Sequence, residues 1–393
     1  MLALTFHAGD PGPRLERARP IPVPGPGEAL VQVLRVGVCA TDLEIVRGYV
    51  PGYAGVLCHE FVGIVVSSPS APAWEGARVV GEINCPTTAG RAAGGGPPPP
   101  PPSCPPPPDA AAAVLGPAPD AAAALARNHA SPRTVLGIVG RDGCAAEWVA
   151  VPVANLHAVP PSIPDARAVF VEPLAAACRV VEQGAVRPGD RAAVVGDGRL
   201  GLLVSAVLSR PGVRATAGVA LTHFGHNAAK LGLVPEGRGH AAVVVPRGDG
   251  ADAVWAAHAG RFDVAVEATG SPPGAAAALA LLRPGGTLVL KTTCAPPGVV
   301  VDAAPACHAP SWSLFANDVV VQEKSVVGSR CGPFPPALAL LQRPDMGRLV
   351  DGMLSRVFDL EDGVAAVAVA AQATTGVIKV QLVTAAGRAR EGV

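Results

Sequence analysis

The chain has 393 residues, 49% of them hydrophobic, enough to bury a large core and to form two domains. Its 31 Lys and Arg residues balance its 31 Asp and Glu residues, which leaves no field to draw in nucleic acid or an anionic membrane and points to a small-molecule partner. Nine cysteines, an odd number without a regular framework, suit reduced thiols and metal ligation in a reducing compartment, the cytoplasm, better than disulfides; weak compositional cues leave an organellar address open.

The opening residues, Met1 to Phe6, read as a strand rather than a charged leader with a long apolar region. From Glu28 to Val36 and from Phe61 to Val66, β-branched content between Pro and Gly joints predicts strands. Residues 1–155 therefore read as a mostly β domain. Thr87 to Arg127 breaks this order with the proline runs 97–102 and 105–108 and with alanine runs. It is expected to be an exposed, disordered insertion of polyproline character, either tolerated as an expanded loop or read by a proline-binding domain.

Around Asp165 the pattern turns to Ala-rich helix, and short apolar runs then alternate with helical stretches to about Arg330. That alternation is the signature of a doubly wound parallel sheet, placed at residues 156–331. The apolar run Ala192 to Leu208 is broken by Asp197 and Arg199, which argues against a membrane span. Residues 332–393 return to mixed structure with a terminal strand at Val377 to Leu382, expected to rejoin the first domain.

Within the second region, Ala192 to Val195 leads into Gly196-Asp-Gly198-Arg-Leu200-Gly201 and a helical stretch. Phosphate chemistry explains this G-x-G-x-x-G spacing. Gly196 permits a tight turn, Gly198 lets the backbone approach a pyrophosphate, and Gly201 lets the helix that begins near Leu200 pack closely on the strand. A second strand near Arg214 to Ala217 should end in an acid if the cofactor ribose carries a free 2′-hydroxyl, yet no Asp or Glu occurs between Gly212 and Val234. His223, His226 and Lys230 stand there instead, to face a 2′-phosphate or to lie solvated on a loop, and the cofactor reading, NAD(P), leans to NADP(H).

Val38-Cys39-Ala40-Thr41-Asp42 follows an apolar strand, Cys58-His59-Glu60 precedes another, and Glu172-Pro173-Leu174 stands at the entry to the second domain. A thiolate, an imidazole and a carboxylate form a mixed set suited to Zn²⁺, with a position open for a substrate oxygen. Each taken alone has a plain structural reading: a buried Cys in the core, a structural His, a helix start at Glu-Pro.

Together, C-x-T-D, H-E 20 residues after the Cys, E-P-L and the glycine turn, in that order, resemble the medium-chain, zinc-containing alcohol, polyol and threonine dehydrogenases. Gly81 to Asn84, Gly137 to Gly140, Gly286 to Lys291 and Val327 to Phe334 are similar to one bacterial and algal branch of that family. The resemblance covers nearly the whole chain apart from the proline-rich segment and shorter insertions near Val219 to Phe224 and Pro296 to Phe315. It implies a GroES-like catalytic domain joined to a Rossmann domain, hydride transfer between an alcohol or carbonyl and a nicotinamide, and a dimer or tetramer. It also implies that Cys39 and His59 are metal ligands, that Glu60 and Glu172 alternate as a further ligand, that Thr41 relays the substrate proton, and that Asp42 orients the imidazole.

Two positions depart from the family pattern: Cys58 replaces the usual Gly before His-Glu, and Glu44 stands where some relatives carry a relay His. A zinc-free quinone or enoyl reductase on the same fold, which would lack these ligands, and an inactive cofactor-binding scaffold are the competing readings. A second, structural zinc is expected to be absent, because Cys85, Cys104 and His129 supply too few donors for a tetrahedral site, leaving about one zinc per chain.

Overall fold

The computed structural model of the chain describes residues 1–86, 115–118, 120–129, 132–210, 216–234, 239–293, 312–372 and 376–392. Compact packing divides it into two units, which part between Glu172 and Pro173 and again between Pro336 and Ala337.

The first unit is built on the long strand Glu28–Val38. Its opening residues alternate, with Ala29, Val31 and Val33 fully buried and the residues between them half-buried, as a strand with one face on a core requires. It pairs antiparallel with Glu60–Ser67, with Trp148–Pro152 and with the strand Lys379–Val383 near the end of the chain. That last strand is buried along its whole length, polar residues included. Gln381 is accommodated because its carbonyl accepts from Arg35 Nη1 at 3.0 Å and its amide donates to Ala166 O at 2.8 Å. The register sets Val380 opposite Val38, which brings Lys379–Val383 beside the strand that ends just before Cys39.

The second unit carries a six-stranded parallel sheet in the order His240–Val244, Ala220–Gly225, Arg191–Val195, Phe262–Glu267, Leu282–Leu290 and Ser325–Gly328. By chain order this is 3-2-1-4-5-6, the doubly wound arrangement whose order reverses beside its first strand. The glycine turn leaves that first strand, Arg191–Val195, and enters the helix Arg199–Leu208. A mostly β unit and a doubly wound unit are therefore both present.

Two expectations are corrected. The second strand of the parallel sheet is Ala220–Gly225, not the stretch near Arg214 to Ala217, part of which lies outside the described residues. The earlier stretch has no large apolar residue, whereas Leu221 and Phe224 are buried, Phe224 meeting Phe262 edge-on with ring centroids 5.9 Å apart.

The close of the proline-rich segment is also structured. Ala121–His129 is a helix, Leu115 and Ala124 are buried, and alanine's high helix propensity accounts for the turn of structure. Residues 87–114, including the proline runs and Cys104, lie outside the described residues, as do residues 294–311. Among the described residues no helix is long and apolar enough to cross a membrane.

Gly201 is where helix and strand touch. A Cβ there would collide with the Gly196 carbonyl oxygen and stand 2.9 Å from its carbon, so overpacking at this point has backbone rather than a flexible side chain to displace. Gly201→Val is expected to cost about 3 kcal/mol or more and to lower the thermal midpoint by several degrees; an unchanged melting curve would contradict the close packing.

Candidate metal centre and nucleotide site

The strand Glu28–Val38 ends immediately before Cys39, which takes the N-cap position of the helix Ala40–Val46 with extended backbone. Asp42, in the first turn of that helix and fully buried, accepts from the Cys39 N–H through Oδ2 at 2.7 Å. Its other oxygen accepts from the Cys58 N–H at 3.0 Å. One carboxylate thus pins both segments that carry the candidate ligands. Thr41 sits on the same turn, its hydroxyl 3.8 Å from the Cys39 sulfur.

The ligand atoms of Cys39, His59 and Glu60 all lie within 4.8 Å of one another, and among the described residues this is the group of His, Cys and acidic side chains assembled for a metal. His59 Nδ1 is buried, lies 3.8 Å from Asp42 Oδ1 and makes no hydrogen bond among the described residues. Burial alone would push the imidazole pKa down, but the anionic field of Cys39, Asp42 and Glu172 outweighs it and pulls the value up to about 10. Such a field favours positive charge, the condition that a bound cation meets. Glu172, in the first turn of the helix Val171–Glu182, contributes to that field without joining the 4.8 Å group.

Two features here escaped the sequence. Lys379 is fully buried and forms an ion pair with Glu60, also donating to Val38 O at 3.2 Å and lying 5.9 Å from the centre of the Phe170 ring. Gly37 leaves room for the pair, since a Cβ there would meet Glu60 Oε2 and stand 2.7 Å from Lys379 Nζ. A lysine inside the apolar run Ile378 to Val383 was the available signal, because a charge on a buried strand demands a partner. The second feature is Asp197, whose carboxylate accepts from the backbone N–H groups of His226 and Asn227 at 2.7 Å each.

Cys58 holds a φ of +67°, a conformation that glycine adopts freely and a residue with a Cβ does not. Its thiol is pushed well above the usual range, first by burial and then by the nearby Asp42. Glu44, at the relay position, pairs with Arg47 at 2.8 Å.

At the nucleotide turn, Gly196 has a φ of +120°, and a Cβ on Gly198 would meet nothing within 4 Å. The backbone there is open to a ligand. Leu200 is half-buried in the first turn of the helix Arg199–Leu208. His223, considered above as a phosphate contact, is instead fully buried in the second strand, where Nε2–H donates to Gly196 O at 2.8 Å. His226 is exposed, and its Nδ1 bonds Val245 O at 2.8 Å; Lys230 lies in the short helix Ala228–Leu231, whose N-cap is Asn227. Of the residues weighed for a structural zinc, Cys85 is buried against Ile83 O at 3.5 Å.

The profile of the alcohol dehydrogenase GroES-like domain matches residues 25–97. The chain is 32% identical over 345 residues to a glucose 1-dehydrogenase of Thermoproteus tenax, covering 84% of this chain and 83% of that one. A zinc-binding dehydrogenase of Sinorhizobium meliloti, solved with NADP, superposes with a TM-score of 0.67 at 26% identity, over 98% of this chain and 99% of the other. An Escherichia coli alcohol dehydrogenase complexed with NADH superposes with a TM-score of 0.71 over 98% of this chain and 99% of the other, and at 21% identity speaks for the fold. The chain belongs to the zinc-dependent medium-chain alcohol, polyol and threonine dehydrogenases.

The buried His223 makes the nucleotide turn acid-sensitive. Burial lowers its pKa to about 4, with the Gly196 hydrogen bond opposing in part. A depressed histidine contributes full stability above its unfolded value near 6.5 and loses it as pH falls toward 4, because the unfolded chain then binds the extra proton. Denaturant unfolding between pH 7.5 and 4.5 is expected to show a loss of about 3 kcal/mol from this residue. His223→Gln, which keeps a donor, should flatten that part of the profile, and an equal slope in the variant would contradict it.

Proposed function

We propose that this chain transfers hydride between an alcohol or polyol and a nicotinamide dinucleotide, at one zinc ion held by Cys39 and His59 with Glu60 or Glu172 as further ligand. The observation that carries this is the convergence of Cys39, His59 and Glu60 ligand atoms within 4.8 Å, pinned by Asp42. Thiolate, imidazole and carboxylate fit zinc with a position left for substrate. When bound, the ion supplies a Lewis acid that lowers the pKa of a coordinated hydroxyl toward neutrality, and the nicotinamide supplies the hydride acceptor or donor.

The chain's own residues do the rest. Asp42 keeps Cys39 and His59 in place. Thr41, whose hydroxyl faces the Cys39 sulfur, offers the substrate proton its first step outward. Lys379 holds Glu60 through Oε2 and so offsets the carboxylate's charge, which favours Glu60 and Glu172 sharing the third ligand role. In the second unit the open backbone at Gly198, with Gly196, Leu200 and Gly201 around it, receives the pyrophosphate at the N-terminus of the helix. His226 and Lys230 stand beside the end of the second strand, at the adenosine end of the NAD(P)(H) cofactor.

The relative from Thermoproteus tenax bears the name of a sugar dehydrogenase, which supports a small polyhydroxy substrate here. A reducing compartment such as the cytoplasm would keep the Cys39 thiol available. Assembly as a homodimer or homotetramer has support in the strand Ser325–Gly328, the edge of the parallel sheet, with Val326 exposed on it and Val320 and Val321 exposed on the neighbouring helix Trp312–Val321.

Cys39→Ala and His59→Ala are each expected to abolish bound zinc and alcohol-dependent reduction of the dinucleotide while dinucleotide binding persists. Wild type should hold about one zinc per chain by metal analysis. Gly198→Val should do the reverse, since its side chain meets no protein atom in the fold but fills the cradle. Zinc and turnover retained in both ligand variants would overturn the metal assignment, and unchanged cofactor affinity in Gly198→Val would overturn the nucleotide assignment.

A further inference from the structure

The glycine turn carries an acid at a position its fingerprint leaves unspecified. Asp197 follows Gly196, and its side chain reaches to the end of the Ala220–Gly225 strand, where Oδ2 accepts from both His226 N and Asn227 N. Gly225 gives it the space: a Cβ there would lie 2.6 Å from Asp197 Cβ and 3.0 Å from Oδ2. The turn is fastened to the same strand by Gly196 N donating to Phe224 O at 2.9 Å and by His223 donating to Gly196 O. The carboxylate is therefore held at this place. Its second oxygen, Oδ1, makes no hydrogen bond among the described residues, and the side chain is half-exposed.

In doubly wound nucleotide sites the adenosine ribose lies at the end of the second strand, and the group there discriminates between cofactors. A carboxylate accepts a hydrogen bond from a free 2′-hydroxyl and repels a 2′-phosphate. The second strand of this chain brings no acid of its own, but Asp197 brings one to its end from the glycine turn. The same carboxylate occupies the two backbone N–H groups that a phosphate could have used. Of the basic candidates, His226 turns Nδ1 to the Val245 carbonyl.

We infer that Asp197 sets cofactor choice and selects NAD(H) over NADP(H), against the leaning drawn from His226 and Lys230. This rests on the dinucleotide reading of the glycine turn. The repulsion is electrostatic and partly screened, so the discrimination it gives is on the order of tenfold or more.

Equilibrium titration of the full chain with NADH and with NADPH, followed by nucleotide fluorescence, tests it directly. Wild type is expected to bind NADH at least about tenfold more tightly, and 5′-AMP should compete for the site better than 2′,5′-ADP. Asp197→Asn keeps an acceptor for the two N–H groups but removes the charge, and should bring the two affinities within about threefold. Should that variant fail to fold, the competition between the two fragments on wild type decides. Equal or tighter NADPH binding, or a ratio unchanged in Asp197→Asn, overturns the role of Asp197 while leaving the nucleotide site standing. Failure of both dinucleotides to bind would remove the site reading itself and this inference with it.

Discussion

Asp42 is the residue on which the candidate metal centre of the first unit depends. A carboxylate with no solvent exposure is costly unless its lone pairs are met, and here they are met by the N–H groups of Cys39 and Cys58, 19 positions apart in the chain. The bond to Cys39 starts the helix Ala40–Val46; the bond to Cys58 fixes the residue before His59. Satisfying one buried charge therefore delivers the Cys39 sulfur and the His59 imidazole to the same place. The anionic character that results favours positive charge at His59.

Glu60 and Lys379 extend this logic to the far end of the sequence. The strand Lys379–Val383 completes the first unit beside Glu28–Val38 and carries its charge into the core. The pair forms only because Gly37 has no side chain to occupy the space. A residue near the end of the chain thus adjusts the charge of a candidate ligand, and the return of residues 337–393 to the first unit has a chemical role beside its structural one.

Much of this was legible in the sequence, for identifiable reasons. The glycine turn, the strand before it and the helix after it could be read because their spacing follows from phosphate geometry, and C-x-T-D with H-E because ligand chemistry restricts residue type. The second strand was misplaced: Leu221 and Phe224 are separated by polar residues, and the buried His223 looked like a surface cation. Alanines 121–124 sat beside proline runs and took on their reading, although alanine without proline favours helix. The partnerships of Lys379 with Glu60 and of Asp197 with the end of the second strand join residues 319 and roughly 30 positions apart. No local pattern encodes such contacts; the sheet registers create them. Cys58 could be flagged as a departure from the family pattern, and its positive φ follows from the turn that lets residues 57 and 58 meet Gly143 to Ala145.

The most direct measurement is the zinc affinity of Asp42→Asn beside wild type, by competition with a chromophoric chelator, with the melting curve recorded on the same samples. The substitution is nearly isosteric and leaves Cys39, His59, Glu60 and Glu172 untouched, so it isolates the role of the buried carboxylate. A roughly 10–100-fold weaker hold on zinc, with dinucleotide binding by the second unit retained, is the expected result. Zinc bound as tightly in Asp42→Asn as in wild type would show that the ligands are organised by something other than Asp42.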